Sequence, residues 1–183
     1  MIGFQEIGCH IVFDIKMDFT RKARFCAGGH TTDTPAAMTY SSVVSRDSVR
    51  IGFMLAALNG LDVMACDLEN AYLNAPCMEK IWFEGGLEHG SNKGEVCVVV
   101  HALYGLKSAG ALWHVTLAQA LHDIGFVSTI ADPNVWIQPA AHNDGYEYYK
   151  MLLVYVDVLA ISHEPKVLID AIGEYYKVKP GSD

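Results

Sequence analysis

Residues 151–161 read Met-Leu-Leu-Val-Tyr-Val-Asp-Val-Leu-Ala-Ile, eleven positions of which ten are apolar or aromatic and one, Asp157, is acidic. The β-branched and aromatic content favours strand over helix. Because eleven residues exceed one ordinary strand, the run predicts two buried strands joined by a tight turn near Asp157. An ionised carboxylate inside such a run is costly to bury unpaired, and a turn lifts it out of the core. Asp157 then has two readings: a carboxylate displayed for function, or the ordinary Asp that caps a turn.

Composition sets the outer bounds. A chain of 183 residues can bury a sizeable core, and 51% hydrophobic residues with 19% charged and no low-complexity tract predict a globular fold. The net charge of -8 argues against a general electrostatic binder of nucleic acid, since phosphate contacts need Lys and Arg gathered on one face. One local basic cluster stands out: Lys16, Arg21, Lys22 and Arg24. The five cysteines form no Cys-x-x-Cys pair and read as reduced thiols of an intracellular protein rather than as a disulfide framework or zinc site. The eight histidines show no His-Glu-x-x-His pattern. No run reaches the ~18 apolar residues of a membrane span, and the first residues lack the positive region of a signal peptide.

Working outward, residues 61–67 predict a strand that ends on Asp67. Residues 45–59 before it predict an amphipathic helix with Ser45 as N-cap, Asp47 in the first turn, an apolar set of Val49, Phe53, Met54, Ala56 and Ala57, and a stop at Gly60. Residues 10–16 and 22–27 predict a hairpin connected through 17–21, with a break over 28–35. Further strands are expected at 81–83, 96–100 and 135–137. A helix is expected at 111–124, with Leu112, Val115, Leu117, Leu121 and Ile124 on its apolar face and a stop at Gly125. A loop over 139–145 ends in the hairpin signal Asp144-Gly145. A last helix starts at Pro165 and runs to about residue 177, closed by Pro180-Gly181. Asp132, followed by Pro133, reads as a turn residue. This order predicts an α+β fold, an antiparallel sheet with helices on one face. Asp67 and Asp157 lie 90 residues apart and both fall at strand ends, so they meet only if those strands are neighbours. Taken alone, Asp67 also reads as a helix N-cap, Tyr72 as a core aromatic, and Lys22 and Arg24 as charges that protect an edge strand.

Several stretches together carry a resemblance. Tyr155-Val156-Asp157-Val158 resembles the Tyr-x-Asp-Asp hairpin of reverse transcriptases, with Val158 where the second Asp stands. Asp67-Leu68-Glu69-Asn70-Ala71-Tyr72-Leu73 is similar to the copia-type motif Asp-x-x-Asn-Ala-(Phe/Tyr)-Leu of the first palm strand. Lys22-Ala23-Arg24-Phe25-Cys26-Ala27-Gly28-Gly29 is similar to that family's fingers strand. Leu103-Tyr104-Gly105-Leu106-Lys107-Ser108-Ala109-Gly110 resembles its Leu-Tyr-Gly-Leu-Lys-Gln-Ala-Pro, with Ser108 for Gln and Gly110 for Pro. Ala131-Asp132-Pro133 also resembles a family stretch that leads into a strand. The motifs occur in family order over roughly residues 7–180, so the chain resembles a copia-type LTR retrotransposon reverse transcriptase in its fingers and palm portion.

The resemblance implies a right-hand polymerase palm plus a small fingers portion, with residues 1–183 as one fingers/palm domain ending before the primer grip and thumb. It implies that Asp67 and Asp157 are catalytic and, with the backbone of Leu68, ligate Mg2+ or Mn2+; hard cations choose such oxygens. It places Lys22, Arg24 and Lys107 on nucleotide or template phosphates and Tyr72 under the nucleotide sugar, with Tyr155, Val156 and Val158 completing the hairpin. The function implied is RNA-directed DNA polymerisation by two-metal nucleotidyl transfer on an RNA or DNA template-primer with deoxynucleoside triphosphates. Val158 takes away one candidate ligand and puts a β-branched residue where a turn can need positive φ, so impaired activity is expected. The alternative is a non-catalytic remnant that binds nucleic acid or a protein. Apolar surface left open without a thumb would favour self-association. The expected setting is intracellular, in cytoplasm, nucleus or a virus-like particle, with no membrane partner.

Overall fold

The apolar run folds back on itself as expected, and the strands it forms are the middle of the larger sheet. A computed structural model describes residues 2–32 and 39–179. The expected breaks at Pro35 and at Pro180-Gly181 lie outside the described residues. In chain order the elements are β1 (Gln5–Glu6), β2 (Cys9–Ile15), β3 (Arg21–Ala27), α1 (Arg46–Asn59), β4 (Asp62–Cys66), β5 (Ile81–Glu84), β6 (Val96–Val98), α2 (Ala109–Asp123), β7 (Val127–Ser128), β8 (Val135–Ala141), β9 (Glu147–Val154), β10 (Val158–Ser162) and α3 (Pro165–Gly173). They divide into two compact units. The first is Met1–Ser41 with Tyr72–Thr116, and the second is Ser42–Ala71 with Leu117–Asp183.

In the first unit, β2 and β3 form a two-stranded antiparallel ribbon from Cys9 opposite Ala27 to Ile15 opposite Arg21. Its connection closes with Phe19 at φ 61 and with the Asp18 carboxylate accepting from the Thr20 N–H at 3.0 Å. A separate sheet has β5 at its centre, parallel to β1 and antiparallel to β6. Phe25 of the ribbon packs on Phe83 of β5 with ring centroids 5.2 Å apart.

The second unit is built on a five-stranded antiparallel sheet in the order β4-β10-β9-β8-β7. Strand residues alternate between faces, so Met151, Leu153 and Ile161 share one side with Leu159, where Ala56 of α1 packs on them. Gly52 allows the close approach: a Cβ there would stand 2.9 Å from a Leu153 methyl. On the opposite side Leu152, Val158, Ala160 and Ser162 are also buried. There α3 packs against β10 and β4, and His122 of α2 meets Trp136 edge-on at 5.0 Å. The expectation of helices on one face is therefore corrected: this sheet carries helices on both. Burial on both faces also explains why the decisive run shows no apolar/polar alternation.

Helix α1 keeps the expected ends. Ser45 accepts from the Ser48 N–H at 3.0 Å, and Gly60 closes the helix at φ 60. Asp132, expected as a turn residue, also anchors this helix by accepting from the Ser45 N–H at 2.9 Å and the Ser48 hydroxyl at 2.6 Å. The bounds of two elements differ most from expectation. Pro139 lies inside β8, opposite Tyr149, beyond the reach of the short β7; a missing N–H costs no ladder bond on a free edge. Helix α3 stops at Gly173 rather than near residue 177.

Candidate active site

Strands β4 and β10 are neighbours, and the last rung between them pairs Cys66 with Val158. The next residue on each strand is an aspartate, so Asp67 and Asp157 come together at the open end of the ladder. Burial pushes the Asp157 carboxyl above the ordinary range, and the charge of Asp67 and a hydrogen bond shared with it push the same way. Lys179 and the N–H of Leu68 act against this without reversing it. The Cys66 thiol reports the same negative environment: burial, then Asp157 and Asp67, raise it to about 11.

The turn itself spans residues 155–157 and is closed by the Tyr155 N–H donating to the Asp157 carbonyl at 2.9 Å. Val158 is not at the tip. It is the first residue of β10, 1% exposed and paired with both Val154 and Cys66. Among the described residues only Phe19 and Asn70 are non-glycine residues at positive φ, so the expected conflict between Val158 and a left-handed turn position does not arise. Asn70, at φ 53, turns the chain just after Asp67; asparagine tolerates that conformation better than most residues.

Sequence reasoning missed the partner of Asp67. After α3 the chain runs back extended beside residues 67–69. The Glu69 N–H donates to the Lys177 carbonyl at 2.8 Å, the Lys179 N–H donates to the Asp67 carbonyl at 2.9 Å, and Leu68 stands opposite Val178. This brings the Lys179 ammonium onto the Asp67 carboxylate and Lys177 Nζ to 2.9 Å from Glu69. In such a rung the paired residue turns its own N–H and C=O away from the partner strand. The Leu68 N–H accordingly reaches Asp157, and the Leu68 carbonyl faces the same side.

The other singled-out residues belong to the first unit. Arg24 lies 3.9 Å from Asp14 on the ribbon, and Lys22 is half-buried opposite Asp14. Lys107 donates to the Thr32 carbonyl at 2.7 Å. Tyr72 packs on Tyr104 with centroids 5.1 Å apart. The 103–107 loop is locked to the ribbon: Tyr104 bridges Cys26, and the Ala27 N–H donates to the Tyr104 carbonyl at 2.7 Å. Two motifs far apart in sequence thus make one surface of this unit. Ser108, left without a role by the motif, is buried and donates to Glu79.

Residues 3–179 match the family described as reverse transcriptase (RNA-dependent DNA polymerase). The chain belongs to that family. Its curated relatives include the retrovirus-related Pol polyprotein from transposon RE2 of Arabidopsis thaliana, 28% identical over 97% of this chain and 13% of the relative. The corresponding polyprotein from transposon TNT 1-94 of Nicotiana tabacum is 30% identical over 91% of this chain and 13% of the relative. The Ty1-BL Gag-Pol polyprotein of Saccharomyces cerevisiae is 31% identical over 63% of this chain and 7% of the relative. These are Pol polyproteins of retrotransposons, and the first two identify a copia-type reverse transcriptase. The chain thus spans about an eighth of the length of RE2 and TNT 1-94. No solved structure matches it. No described helix is long and apolar enough to cross a membrane.

A raised carboxyl in this reverse-transcriptase chain has a testable sign. A group whose folded pKa lies above its unfolded value favours the fold below the unfolded pKa, and this contribution is lost as pH rises through the folded pKa. Asp157→Asn should therefore stabilise the protein at pH 8 in chelator, and the gain should vanish toward pH 3.8, the unshifted value. Its size is on the order of 1 kcal/mol, that of a like-charge contact screened by water. Urea denaturation across pH reads this directly; a gain that grows on acidification would reverse the assignment.

Proposed function

We propose that this chain is an RNA-directed DNA polymerase segment in which Asp67 and Asp157 hold divalent metal ions, aided by the carbonyl of Leu68. The observation that carries this reading is the Cys66 to Val158 rung, which sets two carboxylates side by side at one sheet end. The donor set suits a hard cation: two adjacent acidic side chains, of which Asp157 is held above its usual range by burial and by the charge of Asp67, and a main-chain carbonyl that the Leu68–Val178 pairing turns away from the 177–179 segment. Among the described residues no group of three or more His, Cys, Asp or Glu is arranged for a metal, so the site rests on this pair. Divalent ions held by Asp67 and Asp157 would supply Lewis acidity for a primer 3′-hydroxyl and positive charge for a leaving pyrophosphate. In this reading the second unit serves as the palm, and the β2–β3 ribbon of the first unit belongs to the fingers. Lys22, Arg24 and Lys107 contact phosphates of nucleotide or template, and Tyr72 lies under the sugar. The substrates are template-primer and deoxynucleoside triphosphates.

Val158 leaves the hairpin with a single carboxylate, which supports weak activity. Primer extension on an RNA template with Mg2+ or Mn2+ should give slow product formation that Asp67→Asn and Asp157→Asn both abolish. Extension that survives both substitutions would sink the reading. The Lys179 ammonium on Asp67 favours a second reading, a remnant that binds nucleic acid without chemistry. That version gives no extension, but salt-sensitive RNA binding that falls on Lys22→Gln and Arg24→Gln.

A further inference from the structure

We propose that Lys179 is the built-in counter-ion of the Asp67–Asp157 pair, standing where a divalent cation binds and having to leave when one arrives. This rests on the metal-site reading above and adds a residue that competes with the metal. Two facing carboxylates repel unless a cation or a shared proton stands between them, and at a pH where both are ionised a cation is what remains. The chain supplies it from the 177–179 segment, which two main-chain hydrogen bonds and the Leu68–Val178 bridge hold against residues 67–69. The segment is seated by Tyr176, which is buried and whose N–H donates to the Ile172 carbonyl at 3.0 Å. Position is therefore set by the backbone, while the side chain stays free to exchange: the Lys179 and Asp67 side chains are 39% and 50% exposed. Lys177 offers an internal comparison, since it sits on the same extended segment but pairs with Glu69 instead.

An ammonium and a divalent ion cannot share the same carboxylate oxygens at close range, because their charges repel. If Asp67 and Asp157 took up a divalent ion, the Lys179 side chain would have to leave Asp67 for solvent, and metal affinity would be lowered by the strength of the ion pair given up. The expected factor is about 1.5- to fivefold, the range of a partly exposed pair.

The test titrates Mn2+ into the full chain and into Lys179→Gln and Lys177→Gln, by calorimetry. A second measurement on the unsubstituted chain follows acylation of each lysine by mass spectrometry with and without Mn2+. Tighter binding by Lys179→Gln but not Lys177→Gln, with Mn2+ raising acylation of Lys179 at least about twofold relative to Lys177, supports the proposal. Measurable binding that is equal or weaker in Lys179→Gln, or Lys179 acylation that Mn2+ leaves unchanged while binding occurs, overturns the counter-ion role and leaves the metal site standing. No Mn2+ binding by any of the three chains overturns both.

Discussion

Val158→Asp should destabilise the metal-free protein by about 3 kcal/mol at neutral pH, although it restores the second carboxylate of the family hairpin. The side chain at 158 is 1% exposed, flanked in register by Val154 and Cys66, and lies on the face packed beneath α3. A carboxylate there loses its hydration and meets Asp67 and Asp157, whose field already helps raise the Cys66 thiol to about 11. The introduced group should carry a raised pKa, so its cost should shrink as pH falls and it takes up a proton. Val158→Thr, close in shape and uncharged, should cost about 1–2 kcal/mol, the cost of burying a lone hydroxyl. Urea midpoints in chelator at pH 5 and pH 8 distinguish the two effects. If Val158→Asp unfolds together with the unsubstituted chain at pH 8, the position is solvated and the carboxylate can be restored at no cost to the fold.

That expectation reverses the simple one, in which a single substitution re-arms the site, and the reason lies in what a motif can and cannot say. Tyr155-Val156-Asp157-Val158 names four consecutive residues but not the point where turn becomes strand. Register decides it: Val158 pairs on both sides and so belongs to β10. The two central strands were legible because sheet burial on both faces leaves a continuous apolar run, and their neighbour β4 was legible because Asp67 and Asp157 had to meet. The faces were not. Strands that are apolar on both sides accept a helix on either, and α1 presents Gly52 and Ala56 to the sheet while its larger Phe53 and Met54 stay exposed.

Lys179 was hidden by a pattern that ran on too long. Val167, Leu168, Ala171, Ile172 and Tyr175 sustain helical spacing past Gly173, where the helix itself ends. A signal was present: Tyr176-Lys177-Val178-Lys179 alternates apolar and cationic residues with the period of a strand, just after a glycine that can end a helix. The nucleotide-side residues were legible as a set of motifs but not as contacts. Lys22, Arg24, Tyr72 and Lys107 fall in the first unit, where Arg24 is engaged with Asp14 and Lys107 with Thr32.

Gly105→Ala should be the most damaging small change in that unit, costing on the order of 3 kcal/mol. Gly105 adopts φ +94, and a Cβ there would stand 2.2 Å from the Ala27 carbonyl oxygen and 3.2 Å from its carbon. Both are backbone atoms, so no side chain can move aside. The contact is tight from the other direction too, since a Cβ on Gly29 would meet the Gly105 carbonyl oxygen at 2.2 Å. Relief requires parting the 103–107 loop from β3, which breaks the 2.7 Å hydrogen bond from Ala27 to Tyr104. Gly145→Ala separates strain from collision. It has a similar φ of +86 with nothing within 4 Å, and should cost only about 1–2 kcal/mol, the penalty of left-handed backbone alone. Denaturation midpoints rank the two, and hydrogen exchange at the Ala27 N–H shows whether the loop has parted. Equal midpoints for the two variants would mean that the loop moves aside freely, and the coupling of the Leu-Tyr-Gly-Leu-Lys loop to the Lys-Ala-Arg strand would lose its physical basis.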